Sequence, residues 1–308
     1  MDQKQAETIS VIVPCYNEEQ VLPLLYQELK RVFASLPAVK GEFLFIDDGS
    51  RDHTLALLRS LHARDRRCRY LSFSRNFGKE AAMYAGLEHA TGEYCVIMDA
   101  DLQHPPALLP EMYRVVKCEG YDCCAGVRQD RAGEGRLRRL LTGGYYRVLG
   151  KLCRMDVQPG AGDFRLMRRT VAQALLACPE RDRYLKGLFQ FVGFETKYIP
   201  FTGGARAAGQ SKWGIPDLWR YALDAIFSCS TAPVGLIGTV GTVLTVLGGL
   251  GVLWQLLLDG DSLAPLLVWI GGIQLLALGL LGQYLVRDYR ESRGRPHYIL
   301  KAWDKDMQ

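Results

Sequence analysis

The chain has 308 residues, 48% of them hydrophobic and 23% charged, with a formal net charge of +5. That length accommodates one sizeable α/β domain and a smaller module, and that composition excludes a disordered or fibrous chain. The excess of positive charge is modest, and nucleic acid is not an expected partner.

Met1–Thr8 leads straight into a short apolar run and is too short and too acidic for a secretory signal, so the first domain is expected to stay on the side where it is made. Strands are predicted at Ser10–Val13, Glu42–Ile46, Tyr70–Phe73, Tyr94–Met98 and Asp122–Ala125. Amphipathic helices are predicted between them at Val21–Phe33, Thr54–Ala63, Lys79–His89 and Leu108–Lys117. Such alternation implies an α/β, Rossmann-like, mostly parallel sheet covered on both faces, with ligands beyond the carboxyl ends of its strands. The nine cysteines are odd in number and scattered, without Cys-x-x-Cys spacing, and read as reduced and mostly buried thiols.

Residues 137–152 combine Leu137, Leu140, Leu141, Tyr145, Val148, Leu149 and Leu152 with the basic Arg138, Arg139, Arg147 and Lys151, a pattern suited to an interfacial helix. A second such segment runs from Trp213 towards the first of two charge-free stretches, Thr231–Leu258 and Ser262–Val286. Each stretch exceeds the ~20 apolar residues that a helix needs to cross a bilayer. The intervening Asp259-Gly260-Asp261 permits only a tight antiparallel hairpin, and Arg287, Arg290, Arg293 and Arg295 place both flanks in the cytoplasm. The expected divisions are therefore a cytoplasmic domain over 1–212, a juxtamembrane amphipathic helix over 213–230, two spans over 231–286 and a cytoplasmic basic tail over 287–308. Membrane lipids are an expected partner. Gly235, Gly238, Gly241, Gly248, Gly249, Gly279 and Gly282 offer surfaces for close helix packing, within the hairpin or between protomers.

Chemistry concentrates just after the strands. Asp99 and Asp101 stand at i and i+2 leaving the fourth strand, where two carboxylates at one edge repel unless a cation joins them. Oxygen ligands of this kind suit Mg²⁺ or Mn²⁺, which would neutralise the charge growing on a departing nucleotide. Other polar residues there have plainer uses: Asn17 and Asp52 can cap the helices that follow, and Gly49-Ser50 is ordinary turn chemistry. Arg128, with Arg139 and Arg147, can clamp a lipid phosphate or rest on anionic headgroups. Asp163 can act as a base or an orienter, or form a salt bridge to Arg165 or Arg168. Were the acceptor a phosphate, with a second pKa near ~6, no strong base would be required. No Ser-His-Asp or Cys-His set points to a covalent intermediate, which favours a single displacement.

Six motifs occur in order: Val-Pro-Cys-Tyr-Asn-Glu (Val13–Glu18), Asp-Asp-Gly-Ser-x-Asp-x-Thr (Asp47–Thr54), Ser-Arg-Asn-Phe-Gly-Lys-Glu (Ser74–Glu80), Asp-Ala-Asp-Leu-Gln-His-Pro-Pro (Asp99–Pro106), Gly-Asp-Phe-Arg-Leu (Gly162–Leu166) and Gln-Ser-Lys-Trp (Gln210–Trp213). Together with the trailing charge-free pair, they make the chain resemble, over essentially its whole length, the family-2 glycosyltransferases of the polyprenyl-phosphate type. Dolichol-phosphate mannose synthases and the bacterial polyprenyl-phosphate glucosyltransferases belong to that group. The resemblance implies a GT-A domain in which Pro14, Tyr16, Glu18 and Asp48 hold the nucleoside, while Asp99, Asp101 and Gln103 hold the metal and diphosphate. It also implies that Arg206 and Lys212 lie on a loop closing over the donor phosphates; Lys79 either stays with the nucleotide or makes a surface pair. The implied catalytic residues are Asp101 and Asp163.

The stretch after Gly162 resembles the glucosyltransferase branch, which makes UDP-glucose the favoured donor and undecaprenyl phosphate the favoured acceptor. UDP-galactose, UDP-N-acetylhexosamine and GDP-mannose are the alternatives. A processive polysaccharide synthase is opposed by the lack of Gln-x-x-Arg-Trp and by only two spans. A non-catalytic scaffold gains no support from a chain that keeps both aspartates, Gln103 and Asp163. The resemblance also implies a homo-oligomer in the bacterial inner membrane.

Overall fold

Strands buried on both faces need almost continuous apolar sequence, and the first two strands have it. In the computed structural model, which describes residues 6–129, 161–178, 180, 183–202 and 263–304, β1 (Glu7–Cys15) and β2 (Val39–Asp47) pair in parallel over their full length. Their pleat sends Ile9, Val11, Val13, Phe43 and Phe45 to one face of the sheet and Ile12, Leu44 and Ile46 to the other. On the first face pack α1 (Leu22–Ala34) and α4 (Leu109–Cys118), through Leu22, Leu25, Leu29, Phe33, Leu109 and Met112. On the second face pack α3 (Lys79–His89), α5 (Arg169–Leu176) and α6 (Leu185–Val192), through Met83, Leu87, Val171, Leu175 and Leu188. Gly86 lets α3 approach closely: a Cβ there would lie 2.1 Å from the Ile12 side chain.

Among the described residues, eight strands form one sheet in the order β7-β5-β6-β4-β1-β2-β3-β8. β3 (Cys68–Phe73) and β4 (Tyr94–Ile97) continue the parallel run on either side of β1 and β2. β5 (Cys123–Arg128) is separated from β4 by β6 (Ala161–Arg168), which runs antiparallel to both. β7 (Thr196–Phe201) pairs with β5 in parallel, and β8 (Leu300–Trp303) closes the other edge antiparallel to β3. The remaining helices are α2 (Thr54–Arg64) and α7 (Leu263–Ser292).

The predicted elements that fall on described residues are present, with strand ends moved by up to three residues. Four features lie outside the expectation: β6, β7, α5 and α6. A fifth is β8, because residues 300–303 of the expected basic tail are a strand of the sheet. Asp304 fastens it: its Oδ2 accepts the Tyr70 N–H at 2.9 Å and its N–H donates to Tyr70 O at 3.2 Å. Helix α7 covers the second charge-free stretch, whereas 231–258 and the segment 137–152 lie outside the described residues. Among the described residues no helix is long and apolar enough to cross a membrane. The bilayer reading therefore rests on the charge-free sequence. Of the glycines thought to pack helices, Gly235, Gly238, Gly241, Gly248 and Gly249 also lie outside the described residues. The seven described cysteines are unbridged, and all except Cys118 are buried.

Candidate active site

Because β6 runs against β4, its beginning lies at the edge where β4 ends. Ile97 pairs with Arg165, and continuing that register two residues outward sets Asp163 across from Asp99. Lys79, the first residue of α3, places its Nζ between them, 2.6 Å from Asp99 Oδ1 and 2.7 Å from Asp163 Oδ2. Burial alone would raise the Asp163 carboxyl, but Lys79 and Lys186 outweigh it and hold the group well below the usual carboxylate range. Burial likewise opposes the charge on Lys79, and the two carboxylates more than restore it. The alternative salt bridge of Asp163 to Arg165 or Arg168 is not what forms. Arg165 Nε donates to Gly162 O and its guanidinium lies over the Phe189 ring, while Arg168 donates to the carbonyls of Tyr121 and Val116.

The loop after β4 turns tightly. Leu102 adopts φ of 59°, a left-handed conformation unfavourable for a side chain of its size, and the Gln103 N–H donates to Asp101 Oδ1 at 3.1 Å. That turn sets Asp101 and Gln103 beside each other. Gln103 Oε1 in turn accepts from Arg128 Nη1 at 3.1 Å, so Arg128 sits against the residues expected to serve the diphosphate. His104 stacks on Phe164, with ring centroids 5.0 Å apart, and its Nδ1 accepts the Asp99 N–H at 3.1 Å. Burial depresses its pKa despite the nearby Asp99, and a ring that accepts at Nδ1 carries its proton on Nε2. His104 has no role assigned by its motif. Its fixed distance of five residues from Asp99 was the available signal.

The neighbouring loops after β1, β2 and β3 are tied to one another. Asn17, with φ of 55°, accepts the Arg51 N–H on Oδ1, and its own N–H donates to Ser50 Oγ; it does not cap α1. The Glu18 N–H donates to Thr54 Oγ1, and Asp52 Oδ1 accepts the Thr54 N–H at the start of α2. Asp48 is buried, and its carboxylate accepts the N–H groups of Phe77 and Gly78 at 2.6 and 3.0 Å. Burial raises its pKa to about 6 although both N–H groups oppose the rise. Tyr16, Gly49, Ser50, Arg51 and Ser74–Asn76 line a cleft of about 270 Å³, and Lys301 of β8 completes its wall. Pro14 sits at the end of β1, paired with Ile46.

The structure thus brings Lys79, Asp99 and Asp163 into contact and joins Asp101 to Gln103 and Gln103 to Arg128. Arg139, Arg147, Arg206 and Lys212 lie outside the described residues. Among the described residues no three His, Cys, Asp or Glu side chains are assembled as a metal site. Asp99 and Asp101 nevertheless fit a hard cation that takes one or two carboxylates and completes its shell with diphosphate oxygens and water. Asp99 already accepts a cationic group in the form of Lys79.

A family model described as glycosyl transferase family 2 matches residues 10–176. The chain is 39% identical to the putative glycosyltransferase CsbB of Bacillus subtilis, over 95% of this chain and 91% of the relative. It is 36% identical to the bactoprenol glucosyl transferase of Shigella phage SfV, over 95% and 98% of the two chains. The crystal structure of mannosyl-3-phosphoglycerate synthase from Rubrobacter xylanophilus is 14% identical and superposes with a TM-score of 0.50, over 72% of this chain and 73% of that one. That likeness extends to the fold alone, an α/β, GT-A-like and mostly parallel mixed sheet.

Proposed function

The chain belongs to glycosyl transferase family 2, and on that premise we propose that it transfers glucose from UDP-glucose to a polyprenyl phosphate, undecaprenyl phosphate in a bacterium, with inversion at the anomeric carbon. The observation that carries the reading is the full-length similarity to bactoprenol glucosyl transferases, joined to an edge where Asp99, Lys79 and Asp163 meet. Residues 1–212 form the catalytic domain on the cytoplasmic face, 213–230 approach the bilayer, 231–286 cross it twice, and 287–308 return to the cytoplasm, with β8 back in the sheet.

Pro14, Tyr16 and Glu18 face the nucleoside, while Asp48 acts through the backbone it fastens. Asp99, Asp101 and Gln103 would hold Mg²⁺ or Mn²⁺ and the diphosphate, and such a cation would supply neutralisation of the charge that develops on the departing UDP. Arg206 and Lys212 close over the donor and exclude water. Arg128, Arg139 and Arg147 hold the lipid phosphate, and Arg128 also reaches Gln103.

Asp163 works as an orienter. A carboxyl held below the ordinary range by Lys79 is a poor proton acceptor, and an acceptor phosphate with a second pKa of ~6 has little need of one. The ionised Asp163 keeps Lys79 and the acceptor in place. The test is a donor panel with the full chain in detergent, a polyprenyl phosphate and Mg²⁺ or Mn²⁺. UDP-glucose should give the highest kcat/KM; a tenfold preference for UDP-galactose, UDP-N-acetylhexosamine or GDP-mannose would overturn the donor assignment. Asp163→Asn should lower kcat without moving an acid limb of the pH profile.

A further inference from the structure

Lys301 is the extra residue of a β-bulge. In the pairing of β8 with β3, Leu71 faces Trp303 and Ser72 faces Ala302, but Phe73 faces Leu300, so one step on β3 is matched by two on β8. Bulges re-aim a side chain and occur often beside active sites. Here the bulged residue lines the cleft that holds Tyr16, Gly49, Ser50 and Asn76.

Its backbone is fixed on both sides. The Ser74 N–H donates to Ile299 O at 2.9 Å, Tyr298 stacks on Phe73 with centroids 4.9 Å apart, and Asp304 holds Tyr70. Among the described residues no carboxylate pairs with Lys301. The acid in the cleft wall, Asp47, is already engaged, its oxygens accepting from the Ser50 N–H and Ser72 Oγ. Arg75 is turned towards Asn76 O and the Phe77 ring. Lys301 is therefore a cation held at the wall with its donors uncommitted.

Position decides what it meets. Neighbouring strands lie ~4.8 Å apart, and β2 and β3 are two and three strands from β4. The cleft thus sits ~10 to 14 Å along the edge from Asp99 and Asp101. A nucleotide whose diphosphate rests at β4 reaches that far only with its base. We infer that Lys301 is a specificity-determining residue for the donor's nucleobase, donating to a carbonyl oxygen on the edge of a uracil. This rests on the UDP-sugar reading above. An ammonium has only donors, so it favours a carbonyl and disfavours the amino group that cytosine carries at the same position.

The test measures binding of UDP and CDP, without sugar or acceptor, to the full chain in detergent by calorimetry with Mg²⁺ present. Wild type should prefer UDP. Lys301→Met should lower UDP affinity ~10-fold, the loss expected for one hydrogen bond to a charged group, while CDP affinity stays within ~2-fold. Lys301→Arg should keep most of the preference. Lys301→Met nearly keeps the length of the side chain and so guards against a packing effect; Lys301→Gln, one bond shorter and uncharged, should lose UDP affinity to a similar extent, and thermal unfolding should be unchanged in all three. Equal weakening of UDP and CDP would make Lys301 a general attractor of anions and overturn the inference, as would no change in either. A wild-type chain that binds UDP and CDP alike would also overturn it. A wild-type chain that binds neither would refute the donor reading itself.

Discussion

Replacing Lys79 by Ala removes the ammonium that joins two carboxylates, and the geometry sets how much this should cost. Nζ lies 2.6 Å from Asp99 and 2.7 Å from Asp163. Charges ~4 Å apart at an effective dielectric constant of about 20 attract by ~4 kcal/mol at most, and desolvation takes back most of that. Lys79 is 40% exposed and Asp99 32%, so that contact is worth a few tenths of a kcal/mol, as at other exposed pairs. Asp163 is only 15% exposed, and its contact with Lys79 should be worth about 1–2 kcal/mol. The assay is a double-mutant cycle of Lys79→Ala and Asp163→Asn, followed by thermal unfolding of the full chain in detergent. Lys79→Ala should lower Tm by roughly 3–6 °C, and the two changes together should cost about 1–2 kcal/mol less than their sum. Because Asp99 is released, Mn²⁺ should restore more of the lost stability in Lys79→Ala than it adds to wild type. Strict additivity would refute the argument that Lys79 organises this edge.

Gly49 has φ of 68°, and a Cβ there would lie 2.5 Å from the Arg75 carbonyl carbon. Gly49→Ala should therefore cost about 2 kcal/mol or more and weaken UDP binding, as thermal unfolding and calorimetry would register. Glu80 has its pKa raised to about 7, first by burial and then by Asp163, with Lys79 opposing. The folded chain thus holds this proton more tightly than the unfolded one between about pH 4.5 and 7, and stability falls as pH rises through that window. Glu80→Gln removes the loss, so its Tm should rise relative to wild type from about pH 5 to pH 8; parallel curves would contradict this.

The parallel half of the sheet was legible because its strands announce themselves by unbroken apolar runs such as Val11–Val13 and Phe43–Ile46. The carboxylates of Asp99 and Asp101 were legible from their spacing on leaving a strand. β6 was not, since its residues alternate acidic, aromatic and basic, and Arg165 is buried beneath the Phe189 ring in a place where apolar patterning expects no charge. Missing that strand hid the partnership of Asp163 with Lys79, 84 residues away. Nor does local patterning foretell that Leu300–Trp303, only four residues beyond a basic stretch, returns to pair with β3. Its alternation is half exposed, and only the distant Tyr70 reveals what Asp304 is for.

Transfer of the sugar is the decisive activity. Full-length chain in detergent, given UDP-glucose, a polyprenyl phosphate and Mg²⁺, should yield a lipid one hexose heavier by mass spectrometry, with one UDP released for each. Asp101→Ala, folded to the same extent, should yield at least ~100-fold less. UDP release without a glycosylated lipid, or an Asp101→Ala chain as active as wild type, would contradict it.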